Sequence, residues 1–284
     1  MSGDAPISPR SSFGAKAVFV SKAIGRRLRW APHDLRHRLS KESGPLDPPR
    51  GLSFVGHGDF REVGLWYVDQ FREIGGLGPG DRVLDIGCGI GRMAIPLMDY
   101  LEDGSYEGFD TSAAMIRWCR KNVTAADPRF RFEVAQIHNR KYNPFGTVRA
   151  TDFRFPYGDD EFDFSFATSL FTHMSLEETR HYLSEISRVL KPGGKALVTF
   201  FLLGGEGRPV DGRHLAFDFA YEFGPLRTTD AKEPEAAVAY PESLLRAEAE
   251  AVGLTVEEPI VYGRWPEAAV GRDIQDMVVL KKPA

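Results

Sequence analysis

Two cysteines, Cys88 and Cys119, are all that the 284 residues contain. That scarcity excludes a disulfide framework and points to a reducing compartment, so a cytoplasmic location is expected. No run of about 18 apolar residues occurs, so no membrane-spanning helix is expected. The opening stretch MSGDAPISPRSS has neither an apolar core nor a small-residue cleavage pattern, and it does not read as a secretory signal. Internal repeats and low-complexity tracts are missing. His138, His173 and His214 are scattered, with no H-x-x-x-H or paired-carboxylate spacing among them, so no metal site is expected.

What is present begins with an uneven charge. The net value is −4, yet residues 1–41 hold nine Lys/Arg against Asp4 and Asp34, which makes that stretch +7 and the remainder −11. A basic arm lying on its own acidic body accounts for this most simply. The basic residues lack the aromatic interleaving of a nucleic-acid reader. Val18–Leu28 suits a short basic amphipathic helix, which leaves contact with a membrane surface or a lipid-linked substrate open. The oligomeric state is not legible.

The spacing predicts a basic arm and linker over 1–50, then one α/β domain over 51–284. Asp59 caps a helix whose apolar positions Val63, Tyr67, Phe71 and Ile74 share a face. Strands are predicted at 82–86, 106–109, 130–137, 162–167, 195–202, 256–262 and 277–280. Helices are predicted over 93–101, from Thr111 or Ser112 to about 122, 176–190 and 241–251. Ser175 and Glu178 form a capping box for the third of these. Alternation at this spacing means a doubly wound, mostly parallel seven-stranded sheet with helices on both faces, and the last two strands pair antiparallel. Two segments, at about 137–155 and 204–239, are insertions expected at the carboxyl ends of strands, where ligands bind in open α/β sheets.

VLDIGCGIGR, residues 83–92, carries the strongest signal. Glycines at 87, 89 and 91 follow the first strand, tighter than the G-x-G-x-x-G of a dinucleotide fold. Asp85 precedes the turn, Asp110 ends the second strand, and no P-loop lysine is present. These residues resemble the class I S-adenosylmethionine-dependent methyltransferases. So do Gly108-Phe109-Asp110, Phe155-Pro156-Tyr157 ahead of Phe162-Asp163-Phe164, and Arg188 to Gly194. The resemblance covers roughly 59–280 and is strongest to bacterial small-molecule or glycan enzymes. It implies a Rossmann-like methyltransferase fold, S-adenosyl-L-methionine as cofactor and S-adenosyl-L-homocysteine as product.

The same resemblance implies roles. Asp110 accepts the ribose hydroxyls, with Thr111 beside it, and the amides at Gly87, Cys88 and Gly89 suit the cofactor's carboxylate. Asp85 orients the turn or meets the ammonium. Gln136 and Ile137 border the adenine, although an Asp is common at position 136. Asp152 is an alternative adenine contact, with Phe153 against a ring face. Thr168 closes the cofactor side. Asp110 could instead only cap the next helix, and Gly91 could serve close packing.

The loop after the fourth strand reads Thr168-Ser169-Leu170-Phe171, without the Asn/Asp-Pro-Pro-aromatic motif of amino-methylating nucleic-acid enzymes, so no DNA substrate is expected. Ser169, Phe171 and His173 fall on the acceptor side. His173 is the candidate base, a substrate contact or a structural residue, because an imidazole can accept an alcohol proton near neutrality. His214 is a rival substrate residue. The expected activity is methyl transfer to a small molecule, at a hydroxyl of a glycan, lipid-linked sugar or secondary metabolite. N- or C-methylation and a non-catalytic cofactor-binding scaffold are the alternatives, and the glycine spacing disfavours an NAD-dependent oxidoreductase.

Overall fold

The computed structural model describes residues 13–39, 44, 46–52, 58–140, 142–268 and 270–284. Residues 1–12, 40–43 and Pro45 of the expected arm and linker lie outside the described residues.

Helix α1 (Phe13–Leu39) is much longer than the Val18–Leu28 segment that the sequence suggested. Contacts with the body extend it. Phe19 meets Phe145 edge-to-face at 6.1 Å, and the Asp34 carboxylate accepts the N–H groups of Arg50 and Gly51. Asp59 caps α2 (Phe60–Glu73) by accepting from the amides of Arg61 and Glu62. The chain then alternates through β1 (Arg82–Ile86), α3 (Ala94–Tyr100), β2 (Ser105–Asp110), α4 (Ala113–Cys119), β3 (Phe130–Val134), β4 (Phe162–Ala167), α5 (Leu176–Val189) and β5 (Leu190–Phe200). Strand β3 stops three residues before the predicted end, because the backbone from Gln136 turns to pair with its own insertion. Short strands β6 (Leu202–Leu203), β7 (Tyr221–Phe223), β8 (Leu226–Thr228) and β9 (Val238–Pro241) follow, then α6 (Glu242–Ala251), β10 (Thr255–Val261) and β11 (Asp276–Lys281).

The main sheet has seven strands in the order β10-β11-β5-β4-β1-β2-β3, all running one way except β11, which is antiparallel to both β5 and β10. The pleat sends alternate residues to opposite faces, so each strand feeds two cores. Leu84 and Ile86 of β1, Phe162 of β4, and Ala196, Val198 and Phe200 of β5 pack under α5 and α6. Val83, Phe164, Phe166 and Leu197 pack on the other face with Phe71 of α2, whose ring stacks on Phe166 at 4.3 Å. Complete burial of each such phenylalanine contributes about 1.5–3 kcal/mol. These near-continuous apolar runs explain why the main strands were readable.

The expected insertion 204–239 is not a plain loop. Strands β6, β9, β8 and β7 form a second, four-stranded sheet over a small core of Phe201, Leu203, Phe219, Ala237, Ala239 and Trp265. The sequence concealed it because each strand has only two to four residues. Asp276, fully buried at the start of β11, ties this layer to the main sheet. Its carboxylate accepts from the Leu202 amide (2.6 Å), the Gly263 amide (2.8 Å), the Trp265 indole (3.0 Å) and the Arg208 guanidinium. Arg208 also lies over the rings of Tyr262 and Trp265.

Candidate active site

Strand order reverses between β1 and β4, and their carboxyl ends mark the switch point at which open α/β sheets bind ligands. On one side, Gly87, Gly89 and Gly91 have φ of +85°, +54° and +78°, a region that residues with a Cβ rarely adopt. A Cβ at Gly91 would press on the Cys119 sulfur and lie against Ala94 and Phe132 of the core, so this glycine serves packing. Gly89 differs: a Cβ there would meet nothing within 4 Å, leaving open space beside the turn.

The turn is held from within. The amides of Gly87 and Cys88 both donate to the Phe109 carbonyl at 3.0 Å, and the Gly89 amide donates to Asp110 at 3.0 Å. The other Asp110 oxygen accepts from the Ser112 amide at 2.7 Å. Turn amides expected to meet a ligand carboxylate are therefore engaged inside the protein. Asp110 both shapes the turn and starts α4, and its two oxygens retain further acceptor positions. Burial raises its pKa, against the pull of those two N–H donors. Thr111 is half-buried beside it. Burial also pushes the Cys88 thiol well above its ordinary pKa, so it is no nucleophile.

Asp85 is turned under the turn. It is buried, and it accepts a 2.6 Å hydrogen bond from Tyr106 on β2, a partner with no signal in the sequence. Burial raises its pKa to about 8 despite that bond. A carboxyl raised in the fold stabilises the native state fully below its unfolded value near 4, and this gain is lost as pH rises through about 8. Relative to Asp85→Asn, the ligand-free protein should therefore lose roughly 1 kcal/mol per pH unit between about pH 6 and 8. Urea unfolding of both forms across that range checks this, and a constant difference would refute it.

The far wall comes from the insertion after β3. The Gln136 carbonyl accepts from the amides of Thr147 and Val148, and Ile137, buried, bridges to Val148. Asn143 donates to the Ile137 carbonyl at 3.0 Å. A Cβ at Gly146 would run into that same peptide, so only glycine closes this loop. The Gln136 side chain is exposed, as is Asp152, which accepts from Thr151. Phe153 packs on Phe109 and Phe155.

After β4 come the residues expected on the acceptor side. Thr168 is half-buried. Ser169 has φ +55°, unusual outside glycine, and is clamped: its amide donates to Thr199 (2.7 Å) and its hydroxyl to Gln275 (3.1 Å). Thr199 and Gln275 come from β5 and the approach to β11, so no local pattern marks them. Leu170 covers Gly87. Phe171 is not a cleft residue: it is fully buried and stacks on Phe200 at 4.9 Å, because its 3-10 turn faces the core. His214 lies exposed in the second layer at φ +60°, its amide donating to Asp218.

His173 is half-buried, and its Nδ1 lies 3.0 Å from the Glu235 carbonyl oxygen. A carbonyl only accepts, so Nδ1 carries the proton and Nε2 carries the lone pair of the neutral ring. Glu235 also lines a polar cavity of about 240 Å³ with His138, Arg140, Arg149, Glu177 and Glu178. Burial, and secondarily the nearby Glu178, raises the Glu235 pKa. Among the described residues no group of three or more His, Cys, Asp or Glu could hold a metal ion.

The family described as a methyltransferase domain matches residues 83–194, from β1 and the glycine turn through the first residues of β5. Residues 83–194 thus match a methyltransferase domain. Among curated relatives of the methyltransferase domain, phosphoethanolamine N-methyltransferase 3 of Arabidopsis thaliana is 29% identical over 56% of this chain and 28% of that protein. Demethylmenaquinone methyltransferase of Bacillus mycoides (strain KBAB4) is 26% identical over 58% of this chain and 60% of that protein. The chain thus spans less than two thirds of these relatives. A solved S-adenosylmethionine-dependent methyltransferase of Methanosarcina mazei shares the fold, with TM-score 0.50 at 19% identity over 73% of this chain and 94% of that one. The methyltransferase cofactor fits the residues present: the open side of Gly89 admits close approach, and Asp110 offers acceptors at the end of β2.

Proposed function

We propose that the protein methylates a hydroxyl of a small polar acceptor, a glycan, lipid-linked sugar or secondary metabolite. The observation that supports this most is the His173–Glu235 hydrogen bond beside the polar cavity. When bound, S-adenosylmethionine supplies a methyl group on a good leaving group, so positioning and exclusion of water carry much of the catalysis. Asp110 accepts the ribose hydroxyls, Gln136, Ile137 and Asp152 border the adenine, and Thr168 closes the cofactor side. Glu235 fixes the His173 tautomer, and Nε2 takes the proton of the acceptor hydroxyl. The charged lining of the cavity suits a hydroxyl-rich molecule better than an apolar one.

Incubation with methyl-labelled cofactor and a metabolite or lipid extract, followed by mass spectrometry, identifies the acceptor. With it in hand, His173→Ala should lower kcat by about 10²–10⁴-fold and remove the acid limb of the pH profile, leaving affinity for S-adenosylhomocysteine unchanged. Intact turnover of the variant across about pH 6 to 9 would exclude the base role. A second reading, N-methylation, is favoured by Glu177, Glu178 and Glu235, whose carboxylates suit the positive charge that builds on a neutral amine nitrogen as it takes the methyl group. It predicts a labelled amine and turnover that survives loss of His173.

A further inference from the structure

Helix α1 presents three faces. Lys16, Phe19, Ala23, Arg26, Trp30 and Asp34 form the half-buried face toward the body. Val20, Ile24, Leu28, Leu35 and Leu39 recur at helical spacing on a second face and stay exposed among the described residues, Leu28 at 69% and Leu39 at 78%. Lys22, Arg29 and Arg36 recur every seven residues on the third face and are also exposed. An apolar stripe of this length on a soluble surface marks an interaction site.

We infer that this outer surface of α1 docks the protein on an anionic lipid bilayer. The charge pattern selects the occupant. The only acid in the helix, Asp34, faces the body and is bound by the amides of Arg50 and Gly51. A second copy of α1 would set basic residues against basic residues, with no acids to pair them. A bilayer with anionic headgroups meets both faces at once: the leucine stripe enters the acyl boundary and the basic side chains reach the headgroups. No described helix is long and apolar enough to cross a membrane, so the contact is peripheral. The inference does not depend on the proposed acceptor, because docking requires neither cofactor nor substrate.

The test is co-sedimentation of the full chain with phosphatidylcholine vesicles, with and without phosphatidylglycerol. Binding to the anionic vesicles should be at least about tenfold tighter and should weaken with salt. Ile24→Glu/Leu28→Glu/Leu35→Glu should abolish it, and Lys22→Gln/Arg29→Gln/Arg36→Gln should weaken it by about fivefold per residue. Circular dichroism and an unchanged thermal midpoint establish that the variants remain folded. Equal binding to both vesicles, or binding that survives the stripe variant, would overturn the inference. So would a concentration-dependent dimer in sedimentation that the stripe variant abolishes, which would assign the face to self-association.

Discussion

Replacing Asp110 with alanine is expected to weaken binding of S-adenosylhomocysteine by at least about a hundredfold. The carboxylate has two tasks that converge. It holds the Gly89 and Ser112 amides, and so sets the conformation of the glycine turn and the start of α4. In the proposed complex it also accepts from the ribose hydroxyls. Hydrogen bonds to a charged group contribute about 1.5–3 kcal/mol each, and two of them exceed the roughly 2.7 kcal/mol that a hundredfold represents. Asp110→Asn should not restore binding despite its near-identical size, because an amide offers one acceptor oxygen and turns its NH₂ toward an N–H donor. Calorimetric titration gives the affinity, and a thermal melt separates lost binding from lost folding. An Ala variant that stays folded and binds within about threefold of the parent would remove Asp110 from the cofactor site.

The largest effect on stability is expected at Asp276. In Asp276→Ala, Arg208 keeps its charge, almost completely buried, while the Leu202 and Gly263 amides and the Trp265 indole lose their acceptor. Breaking a buried pair from one side costs about 3–5 kcal/mol. The joint replacement Asp276→Ala/Arg208→Met should recover part of that loss, since the unpaired charge leaves with its partner. Urea unfolding near pH 7.5, above the value of about 6 to which burial pushes Asp276, measures the ionised pair. A loss under about 1 kcal/mol would mean that water replaces the carboxylate and the two layers are held by their apolar core alone.

Legibility followed the range of the interactions. The Asp59 cap and the Ser175–Glu178 capping box are contacts within one turn of helix, and both appear where the sequence places them. The glycine turn was legible because positive φ selects one residue type. The clamp on Ser169 was not: Gln275 is 106 positions away and joins it only because β11 pairs with β5 beside β4. Tyr106 was hidden for the same reason, since it meets Asp85 through the pairing of β1 with β2. Phe171 misled, because an aromatic residue after a strand reads alike whether it faces ligand or core.

By itself, the sequence determined the alternation of strands and helices, the glycine turn and the acidic end of β2, all of which rest on local propensity, periodicity and backbone geometry. Tertiary structure alone decided which side chains meet. It set the tautomer of His173 through a carbonyl 62 residues away, turned Asp85 beneath the turn, built the second sheet and left the stripe on α1 uncovered. Those outcomes depend on packing between distant segments, and no local pattern encodes which distant partner will arrive.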